Sequence, residues 1–471
     1  MKTPDARVKT PDATIDASCR LPLLVLFNGA ALWLVLGLTL SAIASLTFHK
    51  PEMFASCVML SYGHAQAAAN DLLVYGFCVP AALGVLLWIF ARLSQTELVL
   101  SPLPFIAGHL WHLGVLVGLV AILTGNSSGF AWLEFPRASA MLLGVAFVLI
   151  AISAVATFGQ RTERELYPSH WFLLAALLWF PWIYSTANLL VVTNWPVRGV
   201  AQSVIHWWFS NNFIFVWLSL VGLGVVFYFL PKLTGQPLKS KFYALFAFWT
   251  LMFFGTWAGI PAGAPVPAWL PTLSEFASML LVIPILAVAI VLVKTLRGAK
   301  LFCGGSTYGY IRLGGLMFLP SAILLVTVAC PQCSRVLEFT WLGVAQAQLH
   351  ILGFATIILL GAINEILPLV MDKPLPFKKF VPVQFFLTIL GVALFVIPLA
   401  IAGTKQGHSN FEPNAGKFWL LLSTGGLVLL LLGSLLLLVN LFLMTLKWKI
   451  ALVKTVAAAV VAPLENGEVK S

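Results

Sequence analysis

The stretch His206–Ser240, HWWFSNNFIFVWLSLVGLGVVFYFLPKLTGQPLKS, carries no charged residue between His206 and Lys232. A helix needs about 20 apolar residues to cross a hydrocarbon core of about 30 Å, and this stretch supplies them before it breaks at a Pro-, Gly- and Lys-containing turn. The pattern recurs along the whole chain. Its 471 residues are 60% apolar and only 9% charged, with a mean hydropathy of +0.98, whereas soluble domains carry about 25% charged residues. A large soluble globule is excluded, because so few charges cannot cover so much apolar surface. Alternating barrel-type segments are absent, which leaves helices as the spanning element.

Working outward from 205–230, twelve spans are predicted: 22–47, 70–93, 98–124, 138–158, 169–193, 205–230, 241–260, 272–296, 312–330, 340–368, 380–402 and 417–446. The fold class is an all-α polytopic membrane protein in the lipid bilayer. Twelve spans put both termini on one side. Of the 27 Lys and Arg, six (Lys50, Arg137, Arg198, Arg335, Lys405, Lys417) fall on the opposite side and 21 on the side of the tails. The positive-inside rule then places both termini in the cytoplasm. The net charge of +11 is spread over those loops, as at Lys294, Arg297 and Lys300, and calls for no nucleic acid partner.

The N-terminus repeats KTPDA at Lys2–Ala6 and Lys9–Ala13, so 1–19 is expected to be a disordered cytoplasmic tail. Its acids, Asp5, Asp12 and Asp16, do not suit a secretory signal. Residues 20–450 form one membrane domain, and 451–471 a loose second tail. Cys19, Cys57, Cys78 and Cys303 are scattered, but Cys330 and Cys333 form CPQC on the non-cytoplasmic side. They read as a redox-active pair or, more plainly, as a tight disulfide or two unpaired thiols at a helix end.

Polar groups at bilayer depth are functional candidates by default. Ala345–Phe354, AQAQLHILGF, holds Gln346, Gln348 and His350. Residues two apart are about 200° apart on a helix, so the three cannot share a face. His109 and His112, three apart, can. They could ligate a metal or haem, or act as hydrogen-bonding glue between helices. His64 and Asp71 also share a face, as a proton relay or as an interfacial cluster with Gln66 and Asn70. Asn211 and Asn212 need partners at depth. The Gly- and Pro-rich run from Gly259 to Pro267 breaks span seven into a loop that protein must bury.

ELYPSHWFLLAALLW (165–179), the double Trp207-Trp208, FYFLPKLTGQPLKS and FW…WAG together resemble the large catalytic subunit of the cbb-type haem–copper cytochrome c oxidases (subunit I). The nitric oxide reductase large subunit is a relative. The resemblance extends more weakly over most of 20–446. It implies a twelve-helix bundle in the bacterial inner membrane, with two haems and a copper held by histidines, in a respiratory complex of several membrane subunits.

The same resemblance maps the family's ligand histidines onto other residues here. The copper ligands fall on Asn211, Pro261 and Ala262, and the family tyrosine on Gly255. The two haem ligands of span ten fall on Gln346 and Gln348, and the remaining axial ligand on Ala69. Relocation to His64 and His350 is disfavoured, because they are displaced from Ala69 and Gln348 in opposite directions along the membrane normal. His109 and His112 lie outside the family's ligand set. The expected function is therefore a homologue without haem or copper, acting as a structural or interaction subunit. The alternatives are an active terminal oxidase, passing electrons from cytochrome c to oxygen through haem b and copper with proton translocation, and a transport or sensing role for the emptied bundle. Catalytic and metal-ligating residues are expected to be absent.

Overall fold

The computed structural model describes residues 11–163, 165–192, 197–297, 305–409, 412, 414 and 416–467, with the backbone alone for 456–467. Lys2–Ala6, Lys300 and Cys303 lie outside the described residues. Twelve principal helices follow one another: α1 Asp12–His49, α2 Tyr62–Ser94, α3 Pro102–Leu123, α4 Arg137–Gly159, α5 Pro168–Val192, α6 Val200–Thr234, α7 Lys241–Gly255, α8 Trp269–Leu296, α9 Gly305–Ala329, α10 Trp341–Met371, α11 Phe380–His408 and α12 Lys417–Gly467. No strand occurs among the described residues.

Eleven of these helices are long and apolar enough to cross a membrane. The exception, α7, has 15 residues and stops at Gly255 rather than at 260. Gly259, at φ +106°, then turns the chain into the Pro-rich loop.

Three helices form the centre. The most apolar windows of α2 and α6 are entirely buried and that of α10 is 83% buried, whereas the remaining spans are 33–61% buried. The outer helices therefore face lipid on one side and shield the central three. Each central helix widens in its middle into a π-helical stretch, at Leu72–Cys78, Asn211–Trp217 and Leu349–Thr356. Such stretches are rare and concentrate at functional sites. Gly222 lets α6 approach α10 closely, since a Cβ there would stand 2.3 Å from the Phe354 ring.

The tails differ from expectation. α1 starts at Asp12, inside the stretch 1–19 read as disordered. Asp12 and Asp16 both pair with Arg92 of α2, and Trp88 Nε1 donates to Asp16 at 2.8 Å. Those contacts supply what local composition lacks. At the other end the α12 backbone stays helical through 451–467, read as loose.

Candidate functional site

The three polar residues of AQAQLHILGF part company as the helical geometry requires. His350 is fully buried, with Nε2 3.2 Å from Ser219 Oγ of α6 and Nδ1 3.0 Å from Ser321 Oγ of α9. Ser321 donates its own proton to the Phe318 carbonyl. The two serines thus hold the imidazole from opposite sides, one at each ring nitrogen. Phe215, Phe318 and Phe354 pack around the imidazole, with ring centroids 5.0, 6.4 and 4.8 Å away. Gln346 lies one turn before His350 on the same face and is partly buried.

The other histidines are engaged elsewhere. His64 Nδ1 lies 2.9 Å from Ser61 Oγ and 2.8 Å from the Val58 carbonyl, at the mouth of α2. It shares no partner with His350 or Asp71. His109 is exposed and bonds the Phe105 carbonyl of its own helix. His112 accepts from Trp33 Nε1 at 3.1 Å and sits 3.2 Å from the Val25 carbonyl, which joins α3 to α1. His109 and His112 are thus not brought together, and His112 is the interhelical glue of the plainer reading. Among the described residues no three His, Cys, Asp or Glu side chains gather where a metal could be held.

Where α6 meets α7, the two asparagines close the gap with backbone. Asn211 Nδ2 donates to the Gly255 carbonyl at 2.8 Å. Asn212 donates to the Trp208 and Thr256 carbonyls and accepts from Trp179 Nε1. Gly259 lies against Asn211. Pro261 and Ala262 follow in the loop, and the Ala262 N–H donates to Glu338 Oε1 at 3.1 Å.

On the opposite face of α10, Gln348 lines a cavity of about 320 Å³ between α1, α2, α10, α11 and α12. Gln66 and Asn70 of α2 line it too; Ala69, one residue away, is buried and does not.

This bundle has known relatives. The family model described as Cytochrome C and Quinol oxidase polypeptide I matches residues 22–413. The chain belongs to that family. It is similar to a cytochrome c oxidase subunit 1 homolog of Azorhizobium caulinodans, at 22% identity over 86% of this chain and 76% of that one. It is also similar to the cbb3-type cytochrome c oxidase subunit CcoN1 of Stutzerimonas stutzeri, at 21% identity over 80% and 81%. A cryo-EM structure of a haem–copper terminal oxidase dimer shares the fold, with a TM-score of 0.72 and 13% identity, over 90% of this chain and 84% of that one. The protein is an integral membrane homologue of cytochrome c oxidase subunit I.

One feature of this subunit I homologue went unnoticed in the sequence. Glu134, in the loop between α3 and α4, is 5% exposed and interacts electrostatically with fully buried Asp71. The signal available was an acid in an otherwise apolar stretch of that loop, WLEFP. Burial pushes the Glu134 carboxyl up from 4.5 to about 7, with its neighbour Asp71 pulling the other way. An acid that binds its proton more tightly when folded makes stability fall as pH rises between those two values. The shift corresponds to about 3 kcal/mol at most. The detergent-solubilised protein is expected to melt higher at about pH 5 than at about pH 8, and Glu134→Gln to flatten that dependence. A wild-type Tm that climbs over this interval contradicts the assignment.

Cys330 and Cys333 are both free thiols, and Cys330 Sγ donates to Gln332 Oε1 at 3.0 Å. The disulfide alternative is not formed.

Proposed function

We propose that this chain works without haem or copper, as a structural or interaction subunit of a respiratory membrane complex in the bacterial inner membrane, with both termini cytoplasmic. The observation that carries the reading is the packing around His350. The face of α10 that bears Gln346 is closed off there by three phenylalanines and by serines from α6 and α9.

The side chains at the positions matched to the family's ligands support it. Pro261 and Ala262 offer no ligating atom, and Asn211, Gln346 and Gln348 present amides, which are poor donors to copper or haem iron compared with imidazole. Asn211 is moreover committed to the Gly255 carbonyl. The residues present do not fit the family's haems or copper, and no electron-transfer step is assigned to them. Family membership is what speaks for the rival reading, an active oxidase, and fold alone does not carry function.

Oxygen uptake by the purified chain, with reduced cytochrome c as donor, is expected to match a protein-free control. Cyanide-sensitive uptake overturns the proposal. Affinity purification from native membranes is expected to bring down other membrane subunits in fixed ratio, and recovery of the chain alone counts against an interaction role.

A further inference from the structure

Where α2 and α6 end and α5 and α7 begin, an open groove of about 440 Å³ lies at the edge of the bundle. It is on the side of the tails, to which 21 of the 27 Lys and Arg are assigned. Leu93, Pro231 and Leu238 supply its apolar lining, and Lys232, Lys241 and Gln236 its polar part.

The protein itself leaves these cations largely uncommitted. Lys232 is exposed and donates to the Tyr228 hydroxyl, with its ammonium 4.2 Å from the centre of that ring. An ammonium has three donors, so two remain. No described carboxylate lies within 4 Å of Lys232. The acids whose charge reaches it, Asp12 and Asp16, are both paired with Arg92. Lys241 has Glu165 at 3.9 Å, but the two side chains are 61% and 93% exposed, and such a pair holds neither charge firmly. A third cation stands at the foot of α7, where the Lys294 ammonium lies 5.1 Å from the Tyr243 ring centre. Next to the groove, Phe242, Phe246 and Trp249 are exposed on α7. Their spacing of four and three residues puts them on one helical face, a stripe that faces lipid.

We propose that this groove binds the headgroup of an anionic glycerophospholipid, with its phosphate between Lys232 and Lys241 and its acyl chains along the Phe242–Trp249 face of α7. Basic pockets between helices on the cytoplasmic side suit anionic headgroups. The charge selects an anionic lipid over a zwitterionic one, whose own ammonium the lysines repel. The apolar stripe selects a lipid over a free phosphate. The site lies apart from the positions matched to the family's haem and copper ligands, so the proposal stands whether or not the chain holds haem.

The test is native mass spectrometry of the purified full-length protein, titrated in detergent with dioleoylphosphatidylglycerol or dioleoylphosphatidylcholine, with glycerol 3-phosphate as a soluble competitor. Each lysine near an anionic headgroup contributes about fivefold, so phosphatidylglycerol is expected to bind about 30-fold more tightly than phosphatidylcholine, and glycerol 3-phosphate is expected not to displace it. Lys232→Gln combined with Lys241→Gln is expected to erase that preference, with a Tm within about 1 °C of wild type because both side chains are exposed. Lys447→Gln combined with Lys449→Gln removes the same charge from exposed positions of α12 on the same side of the membrane and is expected to keep the preference. Equal affinity for the two lipids, displacement of phosphatidylglycerol by glycerol 3-phosphate, or equal loss of preference in the two double variants overturns the proposal.

Discussion

Replacing His350 with alanine is expected to destabilise the protein by about 4 kcal/mol and to lower its Tm by about 4 °C. Two costs combine. The imidazole leaves a cavity among Phe215, Phe318 and Phe354, whose rings cannot collapse onto it without leaving their own contacts. Ser219 and Ser321, both fully buried, also lose their shared partner. If His350 were instead a relocated haem ligand, the main consequence would be loss of pigment with little change in packing. A Tm unchanged within about 1 °C would remove His350 from the structural core.

Gly259→Ala is the second large effect, at about 3 kcal/mol or more. Its φ of +106° is strained for any residue with a side chain. The added Cβ would stand 2.3 Å from Asn211 Cβ and 3.1 Å from the Trp207 carbonyl oxygen. Both effects push the loop after α7 away from α6 and endanger the Asn211–Gly255 hydrogen bond. Gly263→Ala is the control, because its nearest neighbour is Glu338 Oε2 at 3.8 Å; it is expected to stay within about 0.5 kcal/mol of wild type. A double-mutant cycle with Asn211→Gly, which removes the Cβ that the new methyl meets, tests the steric part: the pair should recover some of the loss but not the part owed to φ. Equal melting of Gly259→Ala and Gly263→Ala contradicts the account.

The sequence made the membrane architecture legible because hydropathy over a 20-residue window is a local property. It also separated Gln346 and Gln348 onto different faces, since helical pitch alone dictates that. What it could not supply were partners far along the chain. Ser219 and Ser321 lie more than a hundred residues and 29 residues from His350, and no pattern within α10 points to them. Asp71 shares a helical face with His64, seven residues away, but the group it interacts with is Glu134, in the loop between α3 and α4. The start of α1 was misjudged for the same reason: Asp12 and Asp16 look like tail residues until Arg92 and Trp88 are placed beside them. The cavity at Gln348 is a property of five helices at once, and no single stretch of sequence encodes it.

The most direct test of the central claim is the absorption spectrum of the purified, full-length chain, oxidised and reduced, together with metal analysis of the same sample. The account predicts no Soret band and neither iron nor copper in stoichiometric amount. One haem per chain, or stoichiometric copper, would contradict it.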